Sequence, residues 1–208
     1  MPITETDIQD VIGQIRAALA ADHRDEAARL LLELHVADQA DLFDLLDPEE
    51  RRRLLPGLGA TDAADLLERV EDETALAAAE AMSVDRLADV LDEMEPDEAA
   101  DVLGDLPAKR ASEALAQMED ATNVQPLLAY EDESAGGLMT TSFLALRGHD
   151  SVGDATEYLR RVPTDDEVPY YLYVVDDNRH LVGVLSLRQL LVAEPGARLA
   201  TLMDPDVI

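Results

Sequence analysis

The chain has 208 residues, a formal net charge of −30, no Cys, no Trp and a single lysine, Lys109. Its length suits two ordinary domains and its 47% hydrophobic content allows a packed core. The charge argues against nucleic acid as a partner, the lack of Cys rules out disulfides and thiolate metal sites, and no apolar run approaches the roughly 18 residues of a membrane helix. Residues Met1 to Glu5 lack the basic start and apolar stretch of a secretory signal, and a reducing compartment, the cytosol, is expected.

Long alternations of Ala and Leu with Asp and Glu, and only 3% aromatic residues, predict a mainly helical chain. The first predicted helix carries Ile8, Val11, Ile15 and Leu19 on one face, and the second carries Ala27, Leu30, Leu31 and Leu34; both are expected to cap a stack of repeats that begins near residue 40. Ala40-Asp41-Leu42-Phe43, Ala64-Asp65-Leu66-Leu67 and Ala88-Asp89-Val90-Leu91 are spaced by 24 residues, and Ala100-Asp101-Val102-Leu103 comes after a further 12. The unit is one short helix, because Asp47-Pro48-Glu49-Glu50 and Glu95-Pro96-Asp97-Glu98 both place Pro at a first helical position with carboxylates in the first turn. Leu87, Val90, Leu91 and Met94, like Leu42, Leu45 and Leu46, recur at helical spacing and form the predicted buried stripe. A helix of about 10 residues is marginal alone, so successive helices must bury one another's stripes in a small solenoid or superhelical bundle.

Composition changes after Tyr130. Residues Glu131 to Gly137 read as a linker or turn, and β-branched and aromatic residues then appear in short runs. A strand is predicted over 143–146, then a helix opened by Ser151 with Asp154 three residues on, an arrangement like a capping box, carrying Val152, Ala155, Tyr158 and Leu159. Strands over 170–175 and 181–185, joined by Asp176-Asp177-Asn178-Arg179, form a predicted hairpin, and a last helix over 187–192 stops before Pro195-Gly196. The acidity is uneven: 35 acidic and 10 basic residues through Gly137 (−25), against 11 and 6 after it (−5). A solvated, salt-tolerant surface and a cation-responsive surface both fit this excess. Adaptation of the whole protein to salt would charge both segments alike, so the imbalance leans toward function.

The β-α-β-β-α order, with Tyr170-Tyr171-Leu172-Tyr173-Val174-Val175-Asp176 followed by Leu181-Val182-Gly183-Val184-Leu185-Ser186-Leu187-Arg188, resembles a CBS module. Ser134-Ala135-Gly136-Gly137-Leu138-Met139-Thr140 just ahead of it, after DAADLL-like units, is similar to the MgtE magnesium transporters. The combination covers nearly the whole chain. The resemblance implies an α+β multidomain protein: an N-terminal all-α superhelical repeat domain over 1–130, a linker over 131–137, a single CBS module over 138–203, and the start of a second CBS module at 204–208. A second module and a membrane domain normally come next in the family, so a longer parent protein is implied. The implied function is that of a Mg²⁺-sensing regulatory region at the cytoplasmic face of the cell membrane. It would gate the parent's membrane pore domain through Mg²⁺-dependent association of the acidic helical domain with CBS modules. The implied partners are Mg²⁺, the pore domain and a second copy of the chain, in a homodimer through the CBS module.

Mg²⁺ is a small, hard cation that takes oxygen ligands, keeps several waters and is held by one or two carboxylates. Carried over by position, the resemblance makes Asp65 of the DAADLL unit and Asp97 metal ligands, with the backbone carbonyl of Gly137 as a third. Read from the residues alone, Asp97 follows Pro96 in a first helical turn, where an acid complements the helix dipole, and Asp65 suits an exposed helix face. Paired CBS modules often hold adenine nucleotides at a word of Gly, two apolar residues, Ser or Thr, and an Asp three residues on. Gly183, Val184, Leu185 and Ser186 fit, with Gln189 at the acidic position. Ser186 is therefore a nucleotide candidate, and otherwise an N-cap for the last helix. An interaction scaffold with the CBS module as dimerisation element is the competing functional class. No enzyme is expected: His23, His35, His149 and His180 are scattered without zinc-ligand spacing or a nucleophile. Tyr158, Tyr170, Tyr171 and Tyr173 are expected in core packing and dimer contact.

Overall fold

The computed structural model describes residues 5–130, 134–141, 143–162 and 170–207. The chain divides into two units, Met1–Ser142 and Phe143–Ile208. Residues 138–141, expected to open the CBS module, lie with the helical unit. The linker expected at 131–137 is described from Ser134 onward; residues 131–133 lie outside the described residues.

In the helical unit, α1 (Glu5–Ala20) and α2 (Arg24–Leu32) precede a regular array. The array comprises α3 (Val36–Asp44), α4 (Pro48–Leu54), α5 (Ala60–Leu67), α6 (Asp72–Ala81), α7 (Val84–Leu91), α8 (Pro96–Asp105) and α9 (Ala108–Leu115). These helices begin 12 residues apart throughout, so the repeat unit is one helix and its corner. Alternate helices stack: α3 packs on α5, α5 on α7 and α7 on α9, while α4 packs on α6 and α6 on α8. The 24-residue spacing of the Ala-Asp-Leu words is thus the rise within one row. The seventh residue of every unit points inward, as Leu42, Leu54, Leu66, Ala78, Val90, Val102 and Ala114 are all buried. Leu45, expected in the buried stripe, is instead 54% exposed, because α3 ends at Asp44 and Leu45 is its C-cap, while the following Leu46 is the residue that enters the core. A four-residue α10 (Ala121–Val124) follows the array, ahead of a single 3-10 turn over Leu127–Ala129.

Helix ends are tied across the stack by charged side chains. Arg86 donates to the carbonyls of Leu58 and Gly59, both at 2.8 Å, and Arg110, at the same place one 24-residue step later, donates to those of Ala79 and Met82. Arg51 does the same for Phe43 and Asp44. The carbonyls of Phe43, Asp44, Ala79 and Met82 lie at the ends of α3 and α6, where the helix dipole is negative, whereas Gly59 is the N-cap of α5 and its carbonyl also accepts the Ala63 N–H. Carboxylates serve the opposite ends. The Asp92 carboxylate accepts from the N–H groups of Glu119 and Asp120 at 2.8 and 3.0 Å, ahead of α10.

In the second unit, a three-stranded sheet has the order β1 (Ala145–Arg147), β2 (Tyr171–Val175), β3 (Leu181–Ser186), with β1 parallel to β2 and β2 antiparallel to β3. The first strand starts two residues later than the sequence predicts, because the parallel register with β2 runs from Ala145 to Arg147, with Leu144 contributing only its carbonyl to the Tyr173 N–H at 3.3 Å. Helix α11 (Val152–Leu159) opens with the expected box: Ser151 accepts from the Asp154 N–H, and the Asp154 carboxylate accepts from Ser151. Helix α12 (Leu187–Val192) has the expected bounds. Leu146, Val152, Ala155, Leu172, Val174, Leu185, Leu190 and Leu199 form the core. The four tyrosines of this unit, expected partly in core packing, are all exposed. Asp204, expected to start another module, pairs with Val184 on the free side of β3 through reciprocal bonds of 2.9 and 2.8 Å.

Candidate functional site

Asp65 lies on the outer face of α5, its carboxylate 3.5 Å from the Arg69 guanidinium, which also donates to the Asp65 carbonyl. Three residues on, and so on the same side of the helix, Glu68 caps the end of α5. Its Oε1 accepts from the Glu95 N–H at 2.8 Å and so joins α5 to the start of α8. Asp97 is the second residue of α8, and its Oδ1 is buried without a hydrogen-bond partner.

Burial raises the Glu68 carboxyl above its ordinary value. The Glu95 N–H and Arg69 oppose this, while Asp65 and Asp97 add to it. Glu98 is also raised, first by desolvation and then by the negative charges of Asp97, Glu68, Asp101 and Asp72. Its outer atoms remain in water, so screening weakens the effect of each neighbour there. The two helices thus bring Asp65 and Asp97 into one field of mutually repelling carboxylates centred on Glu68. Sequence reasoning passed over Glu68 and Glu98. The signal for Glu68 was its place three residues after Asp65; nothing in the local sequence marks its reach to α8.

Gly137 lies in a turn whose N–H donates to Ser134 Oγ at 3.2 Å. It lines a small cavity of about 30 Å³ with Ala100, Asp101, Gly104, Leu127, Leu128 and Tyr130. Asp101 is one of the charges acting on Glu98, so Gly137 borders the acidic field through it. Gly136 is where the Tyr130 ring sits: a Cβ there would come within 2.2 Å of the ring.

Among the described residues no group of three or more His, Asp or Glu is arranged to hold a metal by itself. What the helical unit offers is hard oxygen donors, an orphaned buried carboxylate oxygen on Asp97 and charge repulsion. That donor set fits a hydrated hard cation that takes its remaining ligands from water or another surface. Ser186 stands elsewhere, as the N-cap of α12: its Oγ accepts from the Gln189 N–H and donates to Gln189 Oε1 at 2.7 Å. Gly183 is required there for a different reason, since a Cβ would meet the Asp204 carbonyl oxygen and Met203 Sδ at 2.8 Å.

A stack of acidic helical repeats followed by a CBS fold defines a class of two-domain chain, and comparison with known proteins agrees. The MgtE intracellular N domain family matches residues 34–133, and the CBS domain family matches residues 135–196. The magnesium transporter MgtE of Thermus thermophilus is 47% identical over 85 residues, which cover 41% of this chain and 19% of that protein. A crystal structure of the soluble part of a magnesium transporter matches with a TM-score of 0.83 and 32% identity over 97% of this chain and 80% of that one. The cytosolic domain of the Mg²⁺ channel MgtE in complex with ATP matches with a TM-score of 0.84 and 32% identity, over 95% and 82%. The chain belongs to the MgtE family. The aligned part spans about a fifth of the length of the curated transporter, and no helix among the described residues is long and apolar enough to cross a membrane.

Proposed function

We propose that this chain is the magnesium-sensing regulatory region of a magnesium transporter or channel, placed at the cytoplasmic face of the membrane in the parent protein. The observation that supports this reading best is the field of Asp65, Glu68, Asp97 and Glu98, with a buried Asp97 oxygen lacking a partner. Asp65, Asp97 and the Gly137 carbonyl are the proposed ligands on this chain, and Glu68 sets the potential they share. A bound Mg²⁺ supplies two positive charges and a shell of water. The residues do the rest. Two unit charges about 4 Å apart repel by roughly 1 kcal/mol in water and about 4 kcal/mol at an effective dielectric of 20, so a few such pairs bias a two-state equilibrium. Without the ion these carboxylates favour separation of the helical unit from CBS modules; with their charge offset, association is favoured and the pore is held closed.

Titrating Mg²⁺ at constant ionic strength tests this. The melting temperature should rise more than with matched KCl, and Asp65→Ala with Asp97→Ala should remove the difference. Equal responses to the two salts would refute specific binding. Pairing of two chains through residues 138–203 belongs to the same proposal. Tyr171 and Tyr173 lie on one exposed side of β2, with Phe143 edge-on to Tyr173 at 6.2 Å, a surface suited to a second CBS module. A second reading, an adenine-nucleotide-responsive regulator, is favoured by the likeness to the ATP complex, with Ser186 as its candidate. It predicts that ATP raises the melting temperature in the absence of Mg²⁺ and that Ser186→Ala abolishes the rise.

A further inference from the structure

Positive charge is scarce in the helical unit, yet three of its guanidinium groups converge. Arg24 at the start of α2 and Arg52 and Arg53 in the last turn of α4 line an open cleft of about 230 Å³ together with Glu49. The close approach is built into the backbone: Gly57, just after α4, lies so near α2 that a Cβ on it would come within 2.6 Å of the Arg24 carbonyl oxygen. Two of the three groups have carboxylate neighbours, Arg24 with Asp22 at 3.0 Å and Arg52 with Glu49 at 2.6 Å. Arg53 has neither an ion pair nor a hydrogen bond among the described residues, although it is half-buried and 35 acidic residues lie on the same stretch of chain. Cations in a last helical turn offset the helix dipole, but Arg51 already meets the carbonyls at the end of α3, and the dipole does not require a guanidinium with unmet donors in a cleft.

We propose that this cleft binds a phosphate-class oxyanion. A guanidinium fork matches phosphate oxygens in pairs, and three forks at one cleft can hold one tetrahedral anion from several sides. The four lining residues, three arginines and one glutamate, sum to +2, and Asp22, paired with Arg24 at 3.0 Å, brings the local sum to +1. Salt limits the reach of the remaining negative charge to about 8 Å, so the local sum governs a small anion. An extended anionic surface is a different matter: a chain of net charge −30 is repelled by a bilayer of acidic lipids, and the occupant is therefore a free phosphate group in solution. The inference is independent of the magnesium reading.

The test is a titration of the metal-free chain with inorganic phosphate and with pyrophosphate, at constant ionic strength and with chelator present, following the arginine Nε–H resonances by NMR. Saturable shifts at Arg53 and Arg24, weakened roughly ten-fold or more by Arg53→Gln and unaffected by Arg188→Gln, are expected. Arg53→Gln removes no contact seen in the structure, so its melting temperature should match the parent's. Shifts that do not saturate, that chloride reproduces, or that persist in Arg53→Gln would overturn the proposal. So would retention on phosphatidylglycerol vesicles without any response to free phosphate.

Discussion

Replacing Gly183 with Ala places a methyl group 2.8 Å from both the Asp204 carbonyl oxygen and Met203 Sδ. Relaxed contacts lie near 3.5 Å or beyond, so the strand-like segment at 203–204 must retreat by roughly 0.7 Å. The reciprocal bonds between Val184 and Asp204, at 2.9 and 2.8 Å, are then stretched or lost. Two such bonds contribute about 1 kcal/mol each, and overpacking costs a further 1 kcal/mol or so, for a total of about 3 kcal/mol. In a unit of this size that is on the order of 12–24 °C in melting temperature. Four of the five tyrosines lie in this unit and there is no Trp, so near-ultraviolet circular dichroism reports its unfolding. Hydrogen exchange at the Val184 and Asp204 amides reports the bonds directly. Gly104→Ala is the control: beyond the backbone of α8 itself and its two chain neighbours, nothing lies within 4 Å of its Cβ position, and it should stabilise the helical unit by up to about 1 kcal/mol. Unchanged amide protection and melting in Gly183→Ala would refute the reasoning.

Other expectations concern charge and helix ends. Glu68 and Glu98 are held above their ordinary value of 4.5, so the stability they contribute is full below that value and lost as pH rises through their folded-state values. Without metal, the helical unit should therefore melt higher near pH 5 than at pH 8, and Glu68→Gln should flatten that dependence in a thermal scan. Asp154 and Asp176 work in the opposite direction. Both are lowered, by hydrogen bonds from Ser151 and His180 respectively, so their contribution is lost as pH falls below 3.8 and through their folded-state values. Arg110→Ala strips partners from the Ala79 and Met82 carbonyls and should cost about 2 kcal/mol in urea unfolding, with Arg110→Lys recovering only part. Arg179 holds a left-handed φ of 66° in the β2–β3 turn, so Arg179→Gly should stabilise the second unit by about 0.5–1 kcal/mol.

The elements that local rules govern were legible from the residues. The Pro48 and Pro96 helix starts fix the phase of the 12-residue unit, and Ser151 with Asp154 marks α11 because both halves of a capping box lie within four residues. The Ala-Asp-Leu words gave the row spacing because each unit contributes the same face to the same core. The hidden contacts lie across the stack. Arg86 and Arg110 reach carbonyls 27 to 31 residues earlier, and Glu68 reaches an N–H 27 residues later, so no window of one or two turns contains either partner. Asp65 and Asp97 could be named from family resemblance, but their meeting around Glu68 is a property of the folded stack. Gly183 was visible as part of a nucleotide-binding word, while the contact that demands a glycine comes from Met203 and Asp204.

The linkage between protons and magnesium tests the central claim most directly. Calorimetric titration of Mg²⁺ near pH 5.5, repeated in buffers of different ionisation enthalpy, measures protons released on binding. Because Glu68 and Glu98 are held above their ordinary value, binding should release more protons there than at pH 8, and Asp97→Asn should abolish the saturable heat. Binding with no proton release at pH 5.5, or no saturable heat beyond that of matched monovalent salt, would contradict it.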